Sequence, residues 1–203
     1  MGEQAVDEVV FAAVLGDAVG AIEAADLPYL LVGGLASAVC GRERWTADID
    51  FFVRRQDADG ALDSLAGAGF DAERTNPDWI YKAVRDGIVV DVIFWLKGNI
   101  VVDDEMLERS EEAELMGIRL RSASPEDLLV MKAIAHDEQS PRHWGDALGL
   151  IAACELDWDY VLKRARLSPR RVLALLTYAE SEDLLVPADC IRSLFDEIYG
   201  AAP

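Results

Sequence analysis

The chain has 203 residues, 52% of them apolar, with Lys+Arg 19 against Asp+Glu 38 and a formal net charge of −19. This suffices for one domain with a buried core, or a core with a modest appendage, and so acidic a surface excludes a protein that coats nucleic acid by charge alone. Cys40, Cys154 and Cys190 are odd in number and far apart, with neither a disulfide framework nor a CxxC knuckle, so a reducing, cytoplasmic setting is expected. The early acids Glu3, Asp7 and Glu8, and the lack of any membrane-length apolar run, predict neither secretion nor membrane insertion.

Over residues 5–26, Phe11, Val14, Leu15, Ala18, Ile22 and Ala25 recur at helical spacing, with Asp17 and Glu23 off that stripe, which predicts an amphipathic helix. Leu27-Pro28 closes it and opens an apolar strand over 29–32 that stops at Gly33-Gly34. A short small-residue helix follows, then a loop with Arg42 and Arg44, then a strand over 48–53. Residues 57–69 predict an exposed helix ended by Gly67 and Gly69. Beyond the turn at Asn76-Pro77-Asp78, strands are expected over 79–84 and 88–95, joined by Arg85-Asp86-Gly87, whose Asp-Gly pair favours a tight hairpin. A short helix over 101–109 and a short strand over 117–121 complete the front part. Ser124-Pro125-Glu126-Asp127 then provides an N-cap, a first-turn proline and first-turn acids. From there the pattern is helical throughout, over 125–138, 142–154, 157–166, 169–179 and 187–199.

Asp48 and Asp50 stand inside an apolar β-type run, where a carboxylate is costly to bury without a partner. Strand alternation projects both from one face, while Ile49 and Phe51 face the other way. A bound divalent cation is the usual reason to keep two such carboxylates together. Asp91 repeats the anomaly within Ile88–Trp95. If its strand lies beside that of Asp48 and Asp50, three carboxylates converge on one or two hard cations; otherwise they are surface acids of an edge strand. Gly33-Gly34 before a helix start permits a tight turn and could present backbone N–H groups to a phosphate.

Leu31-Val32-Gly33-Gly34-Leu35-Ala36, then Arg44-x-Thr46-x-Asp48-Ile49-Asp50, then a lone Asp91 on a later strand, resembles the nucleotidyltransferase superfamily of the DNA polymerase β type. Within it the chain is most similar to small bacterial enzymes grouped with the abortive-infection (AbiEii-like) toxin nucleotidyltransferases. The resemblance implies an α+β fold, with a small mixed sheet flanked by helices over 1–122 and a C-terminal helical region over 123–203 packed on it. It implies two Mg²⁺ ions, with Mn²⁺ the alternative, and transfer of a nucleoside monophosphate from a nucleoside triphosphate with release of pyrophosphate. Asp48 and Asp50 would hold both metals, and Asp91 would hold the catalytic metal and help activate the acceptor hydroxyl. Gly33, Gly34, Arg44 and Thr46 would sit at the nucleotide. The usual Gly-Ser is Gly33-Gly34 here, which removes one hydroxyl contact to phosphate.

Ser124-Pro-Glu-Asp-Leu-Leu-Val-Met-Lys132, with Arg142-His-Trp-Gly-Asp146, is similar to the second signature of that subgroup. Lys132 lies on or beside a buried stripe and either snorkels to water or, as the resemblance implies, reaches the triphosphate. Asp146 either orients Lys132 or accepts from the substrate, or is a first-turn acid favoured by the helix dipole. His136 and His143 have no nearby partner for a zinc site and are expected on helix surfaces. Lys163, Arg164, Arg166, Arg170 and Arg171 form the one basic island, with no acid among residues 161–171. They are helix C-terminal cations, or a patch that binds a nucleic-acid end. The expected acceptor is an RNA 3′ end or a protein hydroxyl, with a cognate antitoxin as partner. The alternatives are a small antibiotic-type acceptor, or a non-catalytic nucleotide-binding half of a toxin–antitoxin pair.

Overall fold

The computed structural model describes residues 7–40 and 46–200. They fall into two compact units, one within Met1–Val39, Arg44–Trp95 and Val101–Ala123, the other within Cys40–Glu43, Leu96–Ile100 and Ser124–Pro203. Among the described residues, no helix is long and apolar enough to cross a membrane.

The first unit begins with helix α1, Glu8–Ala24, capped by the Asp7 carboxylate, which accepts from the Val9 amide at 2.9 Å. Phe11, Val14, Leu15, Ala18, Val19 and Ile22 form its buried stripe. Strand β1, Tyr29–Leu31, follows, then helix α2, Gly33–Val39, strand β2, Asp48–Val53, and helix α3, Ala58–Gly67. Strands β3, Asp71–Asn76, β4, Ile80–Arg85, and β5, Ile88–Ile93, come next, then helix α4, Asp104–Glu108, and strands β6, Glu111–Leu115, and β7, Ile118–Ser122.

All seven strands form one mixed sheet in the order β3-β4-β5-β2-β1-β7-β6. The pairs β2 with β5 and β1 with β7 are parallel, and the others are antiparallel. The interior strand β1, between β2 and β7, has all three residues buried, as apolar runs without alternation predict for strands covered on both faces. The edge strands β3 and β6 were not expected from the sequence: DAERTN and EEAEL carry little apolar surface and expose most residues. Short, charged edges resist pairing with a second sheet.

The second unit holds helices α5, Pro125–Ala135, α6, Arg142–Ala153, α7, Trp158–Ala165, α8, Pro169–Ser181, and α9, Ala188–Tyr199. The Ser124 hydroxyl caps α5 by accepting from the Asp127 amide at 3.2 Å, with Pro125 in the first turn. Leu128, Leu129, Ala133, Ile134, Leu150, Val161, Val172, Leu175 and Leu176 make its core.

Candidate active site: three aspartates on two strands

Strand β2 pairs in parallel with β5, and the register sets Asp50 opposite Asp91. Side chains opposite one another on neighbouring strands project from the same face, and Asp48, two residues before Asp50, shares it. One carboxylate oxygen from each of Asp48, Asp50 and Asp91 lies within 4.8 Å of the others. Asp48 and Asp50 are half-buried and Asp91 is buried. Burial pushes the Asp91 carboxyl above the usual carboxylate range; the Lys82 ammonium opposes that shift, and the Asp48 charge adds to it. All-oxygen donors at this spacing suit a hard divalent cation.

The turn after β1 is shaped by the same carboxylates. Gly33 has φ +70, and a Cβ built there would stand 1.8 Å from Asp50 Oδ2. A side chain is therefore excluded twice, by the left-handed backbone and by the Asp50 carboxylate. The Val32 amide donates to the Asp50 carbonyl at 2.9 Å, tying the turn to β2. Gly34 is buried at the start of α2, and the Ser37 hydroxyl donates to the Gly33 carbonyl at 3.0 Å. The Thr46 hydroxyl donates to Asp48 Oδ1. Arg42 and Arg44 lie outside the described residues.

Lys82 was not singled out in the sequence. Its Nζ lies 2.6 Å from Asp91 Oδ1, because the β4–β5 hairpin sets Lys82 directly across from Asp91. The signal was present: a two-residue Asp86-Gly87 turn pairs Arg85 with Ile88, and counting outward from that pair brings position 82 opposite 91.

In the helical unit, Lys132 Nζ meets Asp146 Oδ2 at 2.9 Å, with side chains 4% and 0% exposed. Lys132 is thus turned inward and does not snorkel. Asp127 binds a second cation, Arg164, whose Nε lies 3.0 Å away with the side chain 10% exposed. The Tyr160 and Ser124 hydroxyls also donate to Asp127, at 3.0 and 3.1 Å.

Of the two readings of the basic island, the helix C-terminal one holds for Lys163 and Arg164, which lie in the last turn of α7. Arg164 is internal and neutralised by an acid far upstream in sequence, so it is no member of a solvated patch. Arg171 donates to the His136 carbonyl, and the Arg170 guanidinium lies 5.9 Å from the Tyr199 ring centroid. Lys163, Arg166 and Arg170 are exposed. His136 is also corrected as a surface histidine: it is half-buried and stacks on Trp144 at 4.6 Å between ring centroids. His143 is half-buried too.

A mixed sheet carrying a three-carboxylate cluster beside a glycine turn defines a candidate metal-dependent active site. Residues 12–167 match the family described as "Nucleotidyl transferase of unknown function (DUF2204)", and the chain belongs to that nucleotidyltransferase family. A search of curated proteins finds no match. Among solved structures, the chain is similar to ANT(2″)-Ia in complex with adenylyl-2″-tobramycin, with TM-score 0.60 and 18% identity over 79% of this chain and 98% of that one. It is similar to the lincomycin-bound lincosamide antibiotic adenylyltransferase LnuA, with TM-score 0.53 and 16% identity over 74% of this chain and 100% of that one. An antigenic nucleotidyltransferase-like protein from Paracoccidioides brasiliensis matches with TM-score 0.55 and 15% identity over 96% of this chain and 99% of that one. At these identities the likeness is one of fold.

Proposed function

We propose that the chain transfers a nucleoside monophosphate from a nucleoside triphosphate to a hydroxyl of a small acceptor molecule. The observation that carries the reading is the cluster of Asp48, Asp50 and Asp91, with carboxylate oxygens within 4.8 Å of one another, in a member of a nucleotidyltransferase family.

The acceptor oxygen attacks the α-phosphorus, the bond from that phosphorus to the α–β bridging oxygen breaks, and pyrophosphate leaves. Two Mg²⁺ ions, or Mn²⁺ in their place, would supply charge neutralisation at the attacking and leaving oxygens. Asp48 and Asp50 would hold both ions, and Asp91 would hold one and take the acceptor's proton. Thr46 fixes the Asp48 carboxylate. Gly33 and Gly34 would bring backbone close to the phosphates, with Arg44 as a cationic contact. Lys132 is paired with Asp146 inside the helical unit, and neither residue is given a contact to the nucleotide in this reading.

A small acceptor is favoured over RNA by the net charge of −19 and by the inward pairing of Arg164. The adenylyltransferase folds that act on antibiotics agree with it. A second reading, an abortive-infection-type toxin that modifies RNA or protein and has a cognate antitoxin, rests on the exposed cations Lys163, Arg166 and Arg170. The experiment is mass spectrometry of small-molecule, RNA and protein pools after incubation with α-labelled nucleoside triphosphate. A nucleotide adduct on a small hydroxyl compound is expected. Adducts confined to RNA or protein would select the second reading, and hydrolysis without any adduct would remove the transferase reading.

A further inference from the structure

The hairpin that carries Asp91 also carries a cation aimed at it. Lys82 stands opposite Asp91 because the Asp86-Gly87 turn fixes the register from Arg85↔Ile88 outward, and its ammonium reaches Asp91 Oδ1 at 2.6 Å. The Lys82 side chain is 41% exposed and that of Asp91 12%, so the lysine stem reaches the cluster from the solvent side and has room to swing away. An ammonium and a divalent cation that draw on the same carboxylate repel each other.

We infer that Lys82 is a built-in counter-cation of the aspartate cluster, holding Asp91 until a divalent cation enters and competing with that cation for the carboxylate. This rests on the metal role given above to Asp48, Asp50 and Asp91. It differs from an ordinary cross-strand ion pair, which would add a little stability to the sheet and leave metal affinity unmoved. It also differs from a lysine that orients Asp91 for the metal, whose loss would weaken metal binding.

The test is calorimetric titration of Mn²⁺, without nucleotide, into the wild-type chain, Lys82→Met, Lys82→Arg and Asp50→Asn. Lys82→Met is expected to tighten Mn²⁺ binding by about tenfold, the order of effect for removing a unit charge near a dication at the high effective dielectric of a partly exposed site. Lys82→Arg keeps the charge and is expected to stay near wild type. In chelator the Met variant should melt below wild type, and Mn²⁺ should raise its melting temperature by the larger increment. Lys82→Gln, neutral but able to hydrogen-bond, carries the same expectation if the Met variant does not fold. Neutral variants that bind Mn²⁺ as weakly as wild type, or more weakly, would overturn the inference. Wild-type binding that Asp50→Asn leaves unchanged would instead overturn the metal role of the cluster itself.

Discussion

In the sheet, Asp48, Asp50 and Asp91 crowd like charges together, and Asp48 and Asp50 remain half-exposed. In the helices, Lys132 faces Asp146 and Arg164 faces Asp127, each pair hidden from water. The carboxylates of the cluster repel one another, and folding gains little from that arrangement; it becomes favourable with a cation. The helical pairs place opposite charges together out of water, where losing one partner strands the other. On the proposed reading, the aspartates are held for chemistry and the helical pairs for the fold.

The largest expected effect breaks chemistry and spares the fold. Asp50→Asn should lower nucleotide transfer by on the order of a thousandfold, while the melting temperature in chelator holds or rises as carboxylate repulsion falls. Parallel loss of melting temperature and activity would mean that the cluster is structural. The converse variant is Asp146→Asn, which leaves Lys132 without its carboxylate inside the helical unit. Denaturant unfolding should show a loss of about 3–5 kcal/mol, and Arg164→Met should cost less, because Asp127 keeps the Tyr160 and Ser124 hydroxyls as donors. Charge reversal at exposed Arg166 should leave stability unchanged, which separates it from Arg164 despite their closeness in sequence.

Gly33→Ala joins the two behaviours. The left-handed backbone costs about 1–2 kcal/mol with a Cβ, and the new methyl would collide with Asp50 Oδ2. Stability and Mn²⁺ binding should therefore fall together, measured by melting and by titration. The smallest effect is a pH slope. The Asp91 carboxyl titrates above its ordinary value of 3.8 in the folded chain. Between the unfolded and folded values the folded state therefore binds more protons, so stability in chelator falls as pH rises through that window. Asp91→Asn should remove this slope from the unfolding free energy measured against pH.

The same contrast explains what the sequence could disclose. Asp48, Asp50 and Asp91 were legible because carboxylates inside apolar β-type runs violate a local rule. Gly33 was legible as a turn, though its second constraint, the approach of Asp50, needs the folded chain. The helices after Ser124 announced themselves through periodicity, Ser-Pro starts and first-turn acids. The edge strands β3 and β6 did not, because they take their hydrogen bonds from β4 and β7 and bury almost nothing of their own. The burial of Arg164 was hidden for a related reason: its neighbours in sequence are basic, while its acid, Asp127, arrives through packing of α5 and α7. Lys82 was within reach of hairpin arithmetic, since the Asp-Gly turn fixes both which residue faces Asp91 and the sheet face on which they meet.

The most direct test of the central claim follows an α-labelled nucleoside triphosphate with Mg²⁺ in wild-type and Asp50→Asn proteins that melt alike. The account predicts one pyrophosphate released per label transferred to an acceptor in the wild type, and neither in the variant. Equal transfer by both proteins, or label released only as free nucleotide, would contradict it.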